Sequence, residues 1–148
     1  MKAANPYLNF YGSTEEAFNF YKSVFGVEFL SVIRFRDMPG MPGVDKMSEA
    51  DQNKLMHVAL PLGKNNILMG TDVLDSFGRP LDFGNNQYIC IETDSTEEAD
   101  QLFGALSEGG KVEMELQKTA WAEKYGLCVD KFGVQWMVNY TGNVQFNA

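Results

Sequence analysis

The sequence predicts an α+β protein built from two βαβββ modules, and a repeated segment carries this prediction. Ser13-Thr14-Glu15-Glu16-Ala17 recurs in the second half of the chain as Ser95-Thr96-Glu97-Glu98-Ala99. Each copy is preceded by one segment with strand character and followed by a helical stripe and three more such segments. We therefore expect a single domain of two modules, about 5–71 and about 87–140, joined by a linker at 72–86.

Each repeated segment is predicted to begin a helix. Ser13 with Glu16, and Ser95 with Glu98, have the spacing of a capping box, in which a hydroxyl and a carboxylate satisfy backbone N–H groups at the helix start. Apolar residues at helical spacing are expected to pack on the core. They are Ala17, Phe20, Tyr21, Val24 and Phe25 in the first copy, and Ala99, Leu102, Phe103 and Leu106 in the second.

Strand character is found in four segments of each half. They lie at 7–11, 27–35, 55–62 and 66–71 in the first half, and at 87–93, 111–117, 126–130 and 134–140 in the second. The stretch 37–54 has two Pro-Gly pairs and no packing stripe. Irregular segments of this length are uncommon in compact domains and are usually functional, so we expect a lid or a mobile segment here.

The charge of the chain limits its partners. The 20 acidic and 12 basic residues give a net charge of −8, which opposes approach to nucleic acid or to an anionic membrane surface. The N-terminus has no apolar segment of signal-peptide length, so we expect a cytoplasmic protein. Cys90 and Cys128 lie in apolar strand-like runs, and both are expected to be buried free thiols.

Short motifs are spread over almost the whole chain. They are Pro6-Tyr7-Leu8-Asn9-Phe10, Glu15-Glu16-Ala17, Phe20-Tyr21, Phe25-Gly26, Met56-His57, Leu106-Ser107-Glu108-Gly109-Gly110, Trp121 before Tyr125-Gly126, and Asp130-Lys131-Phe132-Gly133-Val134-Gln135-Trp136. With the duplicated module they resemble the vicinal-oxygen-chelate superfamily (glyoxalase/bleomycin resistance/dioxygenase), in its PhnB-like branch. The resemblance implies a curved mixed sheet around a cleft that binds a small molecule, and a homodimer to which the aromatic tail from Tyr140 to Phe146 contributes.

The resemblance also implies where metal-dependent members hold their ion. Counting from the helix motifs places Pro6 at the first position, or Asn5 after a slip of one residue, and Tyr88 or Gln87 at the equivalent position. On the last strand, Met137 replaces the usual acid. Because proline and methionine offer no hard oxygen or imidazole donor, and the chain has one histidine, we expect no bound metal and no other cofactor.

Two residues are candidates for proton transfer in such a cleft. His57 offers an imidazole on a predicted strand, although a hydrogen-bonded, half-buried histidine is the alternative. Glu92 alternates with Ile89 and Ile91, so it should face the cleft or the solvent. The expected ligand-binding residues, about half of which the alternative places in the core, are Tyr7, Asn9, His57, Met69, Tyr88, Trp121, Trp136 and Met137.

The function that fits these expectations is the binding of a small molecule in an apolar cleft, as in bleomycin-resistance relatives. The alternatives are a metal-dependent lyase, isomerase or dioxygenase of the same superfamily, and an interaction domain whose aromatic residues fill the cleft. Some relatives are described as ubiquinone methyltransferases, but no strand here is followed by a glycine-rich loop that opens a helix. The sequence identifies neither the ligand nor a reaction.

Overall fold

The computed structural model of the chain describes residues 1–38 and 40–145. The chain divides into two compact units, of which the first comprises Met1–Asp82 and the second begins at Phe83. Each unit contains a four-stranded mixed sheet and a helix of 12 residues. These units confirm the predicted α+β class and the two βαβββ modules. Within the described residues, no helix is long and apolar enough to cross a membrane.

The first unit has a sheet in which the first and last strands are neighbours. Its elements are β1 (Tyr7–Phe10), α1 (Thr14–Phe25), β2 (Ser31–Arg34), α2 (Glu49–Asn53), β3 (Leu55–Leu62) and β4 (Asn66–Asp72). The strand order is β1-β4-β3-β2, with β1 parallel to β4 and the other pairs antiparallel. A parallel pair needs a crossover between its strands, and α1 lies on this crossover.

The second unit repeats this topology. Its elements are β5 (Ile89–Glu92), α3 (Thr96–Ser107), β6 (Lys111–Gln117), β7 (Lys124–Val129) and β8 (Gln135–Tyr140), in the strand order β5-β8-β7-β6. Leu8 pairs with Gly70 in the first sheet, as Ile91 pairs with Val138 in the second. Leu8 and Ile91 therefore occupy equivalent positions of the first strands, and Gly70 and Val138 occupy equivalent positions of the last strands.

Each long helix packs closely on one face of its own sheet. A Cβ atom added at Gly70 would lie 2.5 Å from the Phe18 ring of α1, and one added at Gly126 would lie 2.8 Å from the Phe103 ring of α3. These glycines thus let an aromatic ring contact the strand backbone. Because side chains alternate along a strand, the neighbours of Gly70 and Gly126 point to the opposite face.

The predicted helical stripe is confirmed in the second unit and partly wrong in the first. All four predicted residues of α3 are buried: Ala99, Leu102, Phe103 and Leu106. In α1 the buried residues are Thr14, Ala17, Phe18 and Tyr21, whereas Phe20, Val24 and Phe25 are only half-buried. The prediction omitted Phe18, the residue that contacts Gly70, because spacing alone does not show which apolar residues face the sheet.

The capping box predicted at α1 is wrong, because a residue from another element takes its place. Ser13 makes no side-chain hydrogen bond to the helix. Instead, Asp72 Oδ1 accepts hydrogen bonds from the backbone N of Thr14 at 3.2 Å and from its Oγ1 at 2.6 Å. Asp72 Oδ2 accepts another from the backbone N of Leu55 at 2.9 Å. The buried carboxylate thus joins the end of β4 to the starts of α1 and β3.

The capping box predicted at α3 is half right. The Ser95 hydroxyl accepts a hydrogen bond from the backbone N of Glu98 at 3.1 Å, as predicted. The Glu98 carboxylate, however, accepts from the backbone N of Asp94 at 2.7 Å. The reciprocal bond is therefore displaced by one residue toward the N-terminus, and it still satisfies a backbone donor at the helix start.

The stretch 37–54 contains more regular structure than the sequence predicts. It includes α2, whose N-cap Ser48 accepts a hydrogen bond from the backbone N of Asp51 at 3.1 Å, and a 3-10 turn at Val44–Lys46. A helix of five residues shows no periodicity that sequence analysis can detect. Pro39 in this stretch and Phe146 in the predicted aromatic tail lie outside the described residues.

Replacing the buried carboxylate should destabilise the first unit. Asp72 is 2% exposed, so Asp72→Ala leaves the backbone donors of Thr14 and Leu55 buried without their partner. We expect the free energy of unfolding to fall by about 2–4 kcal/mol, measured by urea denaturation. Asp82→Ala, which removes an exposed carboxylate of the same unit, is the control. Equal stability of the two variants would contradict the structural role of Asp72.

Candidate functional site

The first sheet has one face that α1 leaves uncovered, which we call the first open face. Tyr7 pairs with Met69 between β1 and β4, and Ala59 pairs with the same Met69 from β3. All three alternate with residues that face α1. By the same register the first open face comprises Tyr7, Asn9, Ile33, His57, Ala59, Ile67, Met69 and Thr71. Four predicted ligand-binding residues, Tyr7, Asn9, His57 and Met69, are therefore brought together on one surface.

A polar cluster interrupts this otherwise apolar surface. Tyr7 Oη lies 3.5 Å from His57 Nδ1, and the two ring centroids are 6.1 Å apart. Burial raises the pKa of Tyr7, and a hydrogen bond with Thr71 opposes this effect only in part. The phenol therefore keeps its proton at neutral pH and can donate it. Tyr7, His57 and Thr71 together offer donors and acceptors to a polar group of a ligand.

Pro6 and Asn5, the alternatives for the metal-ligand position on the first strand, both serve the sheet instead. Asn5 Oδ1 accepts a hydrogen bond from the backbone N of Ile67 at 3.0 Å. The Pro6 carbonyl accepts one from the backbone N of Met69 at 3.1 Å. Both residues therefore hold the N-terminal segment against β4, and neither directs a side-chain donor to the first open face.

The face of the second sheet opposite α3 is the second open face. Cys90 pairs with Met137 and Glu92 with Asn139 between β5 and β8, and Tyr125 pairs with Asn139 from β7. With Leu127, which pairs with Met137, these residues form the second open face. Both cysteines are free thiols and Cys128 is buried, as predicted, but the predicted burial of Cys90 is wrong. Cys90 is exposed because it lies on the face without a helix.

Glu92 is held in a hydrogen-bond network. Its Oε2 accepts a hydrogen bond from Asn139 Nδ2, and its Oε1 accepts one from the backbone N of Thr141 at 3.0 Å. Burial raises the pKa of Glu92, but the hydrogen bonds from Asn139 and Thr141 together hold it below its ordinary value. Glu92 is therefore a carboxylate at neutral pH with both oxygens engaged. This environment is unfavourable for a general base, which works best with a pKa near the working pH.

The amide of Asn139 has one unsatisfied atom. Its Nδ2 donates to both Glu92 and Thr141 Oγ1, whereas its Oδ1 is buried and has no hydrogen-bond partner among the described residues. A buried acceptor without a partner costs free energy, and such atoms in native proteins often mark a site for water or ligand. Asn139 lies directly beside Tyr125 in the sheet.

An aromatic cluster lies in the second unit, and we call it the Trp121 cluster: Tyr88, Glu113, Trp121 and Tyr125. The Tyr88 hydroxyl donates to the Glu113 carboxylate, and this hydrogen bond is the main cause that raises the pKa of Tyr88. The Trp121 and Tyr125 rings are 5.2 Å apart at 81°. Two of these residues, Tyr88 and Trp121, are predicted from the sequence. Glu113 and Tyr125 are missed.

The pairing registers of the two sheets, rather than the sequence, make Tyr125 a candidate. Val58 of β3 pairs with Gly70 of β4, and Gly126 of β7 pairs with Val138 of β8. Gly70 and Val138 are equivalent, so Val58 and Gly126 are equivalent as well. The residues that precede them, His57 and Tyr125, therefore occupy equivalent positions. Because His57 is a candidate from the sequence, this equivalence makes Tyr125 a candidate as well.

No comparable signal identifies Glu113. It lies where the pairing of β6 with β7 shifts between Val112 and Met114. Such a bulge changes the direction of side chains without changing the residue pattern. The contact between Glu113 and Tyr88 is therefore visible only in the structure.

Trp136 belongs to the core of the second unit. It is fully buried, and its indole Nε1 donates to Asp130 Oδ2 at 2.8 Å. The other oxygen of Asp130 accepts hydrogen bonds from the backbone N of Phe132 at 2.8 Å and of Val134 at 3.0 Å. Met137, the next residue, is half-buried on the second open face. Of the two predicted ligand-binding residues on β8, only Met137 is accessible to a ligand.

The donor set of the two open faces does not fit a transition metal. The described residues contain no group of three or more His, Cys, Asp or Glu side chains that could hold an ion. The carboxylate at Glu92 already accepts hydrogen bonds at both oxygens. The His57 imidazole and the Cys90 thiol lie on different units, and the other polar side chains on the open faces are largely amides, hydroxyls and thioethers, which bind such ions weakly. No step of a reaction can therefore be derived through a metal here.

Two βαβββ units, each with a parallel pair formed by its first and last strands, define a protein of the vicinal-oxygen-chelate class. The sequence model of the family described as 3-demethylubiquinone-9 3-methyltransferase matches residues 2–139. The chain belongs to this family, whose members include PhnB-like proteins.

Three relatives illustrate this membership. The chain is 31% identical over 140 residues to protein YjdN of Escherichia coli K12, covering 91% of this chain and 92% of that protein. It is 36% identical to protein PA1353 of Pseudomonas aeruginosa, with a TM-score of 0.80 and coverage of 93% and 96%. It is 26% identical to a PhnB protein of Bacillus cereus, with a TM-score of 0.71 and coverage of 93% and 98%.

Replacing Glu92 should change the pH dependence of stability. Because its pKa in the folded protein is below the ordinary value of 4.5, its stabilising effect is present above that pH and is lost as the pH falls through the folded pKa. Glu92→Gln should therefore melt at a lower temperature than the parent at pH 7, and this difference should shrink below pH 4.5. The effect should be about 1 kcal/mol or less, since the side chain is exposed.

The control for this experiment is Glu115→Gln, an exposed carboxylate on β6. Its melting temperature should follow that of the parent chain at both pH values. A melting difference for Glu92→Gln that stays constant from pH 7 to pH 3 would contradict the hydrogen-bond network described for Glu92.

Proposed function

We propose that the protein binds a small molecule on the open faces of its sheets, without a bound metal. The observation that carries this proposal is the polar cluster of Tyr7, His57 and Thr71 beside the apolar side chains of Met69 and Ile67. Ligand sites commonly combine apolar walls with a few polar groups that fix orientation. A phenol that keeps its proton and an imidazole 3.5 Å away supply such groups.

The exposure of these residues supports binding rather than a role in the core. Tyr7 is 45% exposed, although Phe10, which lies on the other face of the same strand, is 1% exposed. His57, Met69 and Thr71 are half-buried. A surface of this kind is accessible to a ligand, and it also has apolar area that the ligand would remove from water.

A reaction is not part of this proposal. The family description names a methyltransferase, but the loop from β1 to α1 is Tyr11-Gly12-Ser13, with a single glycine. It lacks the glycine-rich turn that holds a nucleotide-like cofactor at a helix start. A metal-dependent lyase, isomerase or dioxygenase would need the donor set that the open faces do not supply.

A screen by thermal shift tests the proposal. We expect at least one metabolite at a concentration of about 100 Kd to raise the melting temperature by about 5–10 °C. Tyr7→Phe should weaken binding of that compound about fivefold, because one hydrogen bond is lost. Tyr140→Phe is the matched control, since Tyr140 shares its side of β8 with the buried Val138.

Two results would contradict the proposal. Equal affinity of the parent and Tyr7→Phe for every compound that binds would remove the first open face from the site. Near-stoichiometric zinc, nickel, manganese or iron in the dialysed protein, measured by elemental analysis, would show that binding without metal is wrong.

Charge and cysteine chemistry support two further parts of the proposal. The net charge of −8 disfavours nucleic acid and anionic membranes as partners. Cys90 and Cys128 are both free thiols, and Cys90 is exposed. An exposed free thiol persists best in a reducing compartment, so we propose a cytoplasmic location.

We also propose that the chain forms a homodimer. Leu30 and Val32 are 58% and 44% exposed beside and within the edge strand β2, and a second copy would cover them. Light scattering at micromolar concentration should give about twice the chain mass of 16.6 kDa. Leu30→Lys should shift this mass toward that of the monomer. A parent chain that is monomeric at all micromolar concentrations would contradict the proposal.

A further inference from the structure

We propose that the Trp121 cluster binds a small organic cation, with a quaternary ammonium or protonated amine as its head group. This inference rests on the proposed function, because it names a ligand class for the surface of the second unit. Its basis is a chain of contacts in the second unit: Glu113 accepts a hydrogen bond from Tyr88, Tyr88 interacts electrostatically with Tyr125, and Tyr125 contacts Trp121.

The ring geometry suits a cation. The Trp121 and Tyr125 rings meet edge to face, with centroids 5.2 Å apart and planes at 81°. Two nearly perpendicular rings form a corner in which one positive group can contact both π faces. The face of an aromatic ring carries negative potential, and indole attracts cations most strongly.

The position of Trp121 is fixed by the loop between β6 and β7. Thr119 Oγ1 accepts hydrogen bonds from the backbone N of Trp121 at 3.3 Å and of Ala122 at 3.1 Å. The backbone N of Thr119 donates to the carbonyl of Ala122 at 2.9 Å. Ala122 is fully buried, whereas the neighbouring Trp121 is 42% exposed. The turn therefore holds a large aromatic side chain in contact with water.

Glu113 supplies the cluster with a carboxylate. Glu113 accepts its hydrogen bond from a phenol whose pKa is raised, so Tyr88 stays neutral. Glu92 is a second carboxylate, two strands away from Tyr125 in the sheet. The nearby Lys124 is paired with Asp100 of α3 at 2.9 Å. Lys111, which pairs with Val129, is two residues from Glu113 on β6.

The probes for the test are choline and its uncharged isostere 3,3-dimethylbutanol, which have nearly the same shape. Binding is followed by NMR on the two indole N–H signals, of which Trp121 reports the cluster and the buried Trp136 is the internal control. We expect choline to shift the Trp121 signal with a Kd in the millimolar range. The isostere should bind about tenfold more weakly, because it lacks the cation–π attraction.

Three variants separate the cluster from general effects. Trp121→Ala should weaken choline binding at least about fivefold, Trp121→Phe should retain most of it, and Glu113→Gln should weaken it about threefold. Glu97→Gln removes one exposed charge from the first turn of α3 and should leave the Kd unchanged. The fold of each variant is checked by its melting temperature.

The inference is overturned if choline and its isostere bind equally, if choline leaves the Trp121 signal unmoved, or if Trp121→Ala binds as the parent does. If uncharged or anionic compounds bind in the thermal-shift screen and choline does not bind, this inference is overturned but the proposed function is not. The absence of any binding compound in that screen would overturn the proposed function as well.

Discussion

The candidate sites depend on one constraint of packing: each unit has one long helix, and that helix covers only one face of its sheet. Gly70 and Gly126 bring the strands so close to Phe18 and Phe103 that no other side chain fits between them. The helix-facing side is therefore a dense core. The opposite side receives no helix from its own unit, so its residues remain half-buried or exposed and can contact a ligand.

Duplication places different chemistry at equivalent points of the two open faces. The matching registers of the two sheets make His57 equivalent to Tyr125, Thr71 to Asn139, Asn9 to Glu92, and Met69 to Met137. Of these four pairs, only Met69 and Met137 have the same residue type. The first face thus has a polar cluster without a carboxylate, whereas the second has carboxylates and aromatic rings. A shared backbone with divergent side chains is expected where function lies in sites rather than in the fold.

The repeat and the strand patterns are sufficient to predict the modules, because alternation and helical spacing are local properties of a chain. The positions of β3 and β6 are confirmed to the residue. The sequence assigns Asp72 to a linker because its partners, Thr14 and Leu55, are 58 and 17 residues away in the chain. Glu113 is missed for a related reason: a bulge directs its side chain. Contacts between distant segments and local shifts of register leave no periodic signal.

Three acidic residues show how a carboxylate that stabilises the fold differs from one on the second unit's aromatic cluster. Asp72 and Asp130 are buried, and each accepts three hydrogen bonds, mostly from backbone N–H groups, so they stabilise the fold. Glu113 instead accepts from a phenol, an interaction that stabilises no backbone donor. Its side chain is exposed, so the carboxylate stays in contact with solvent and is accessible to a ligand beside the Tyr88 ring.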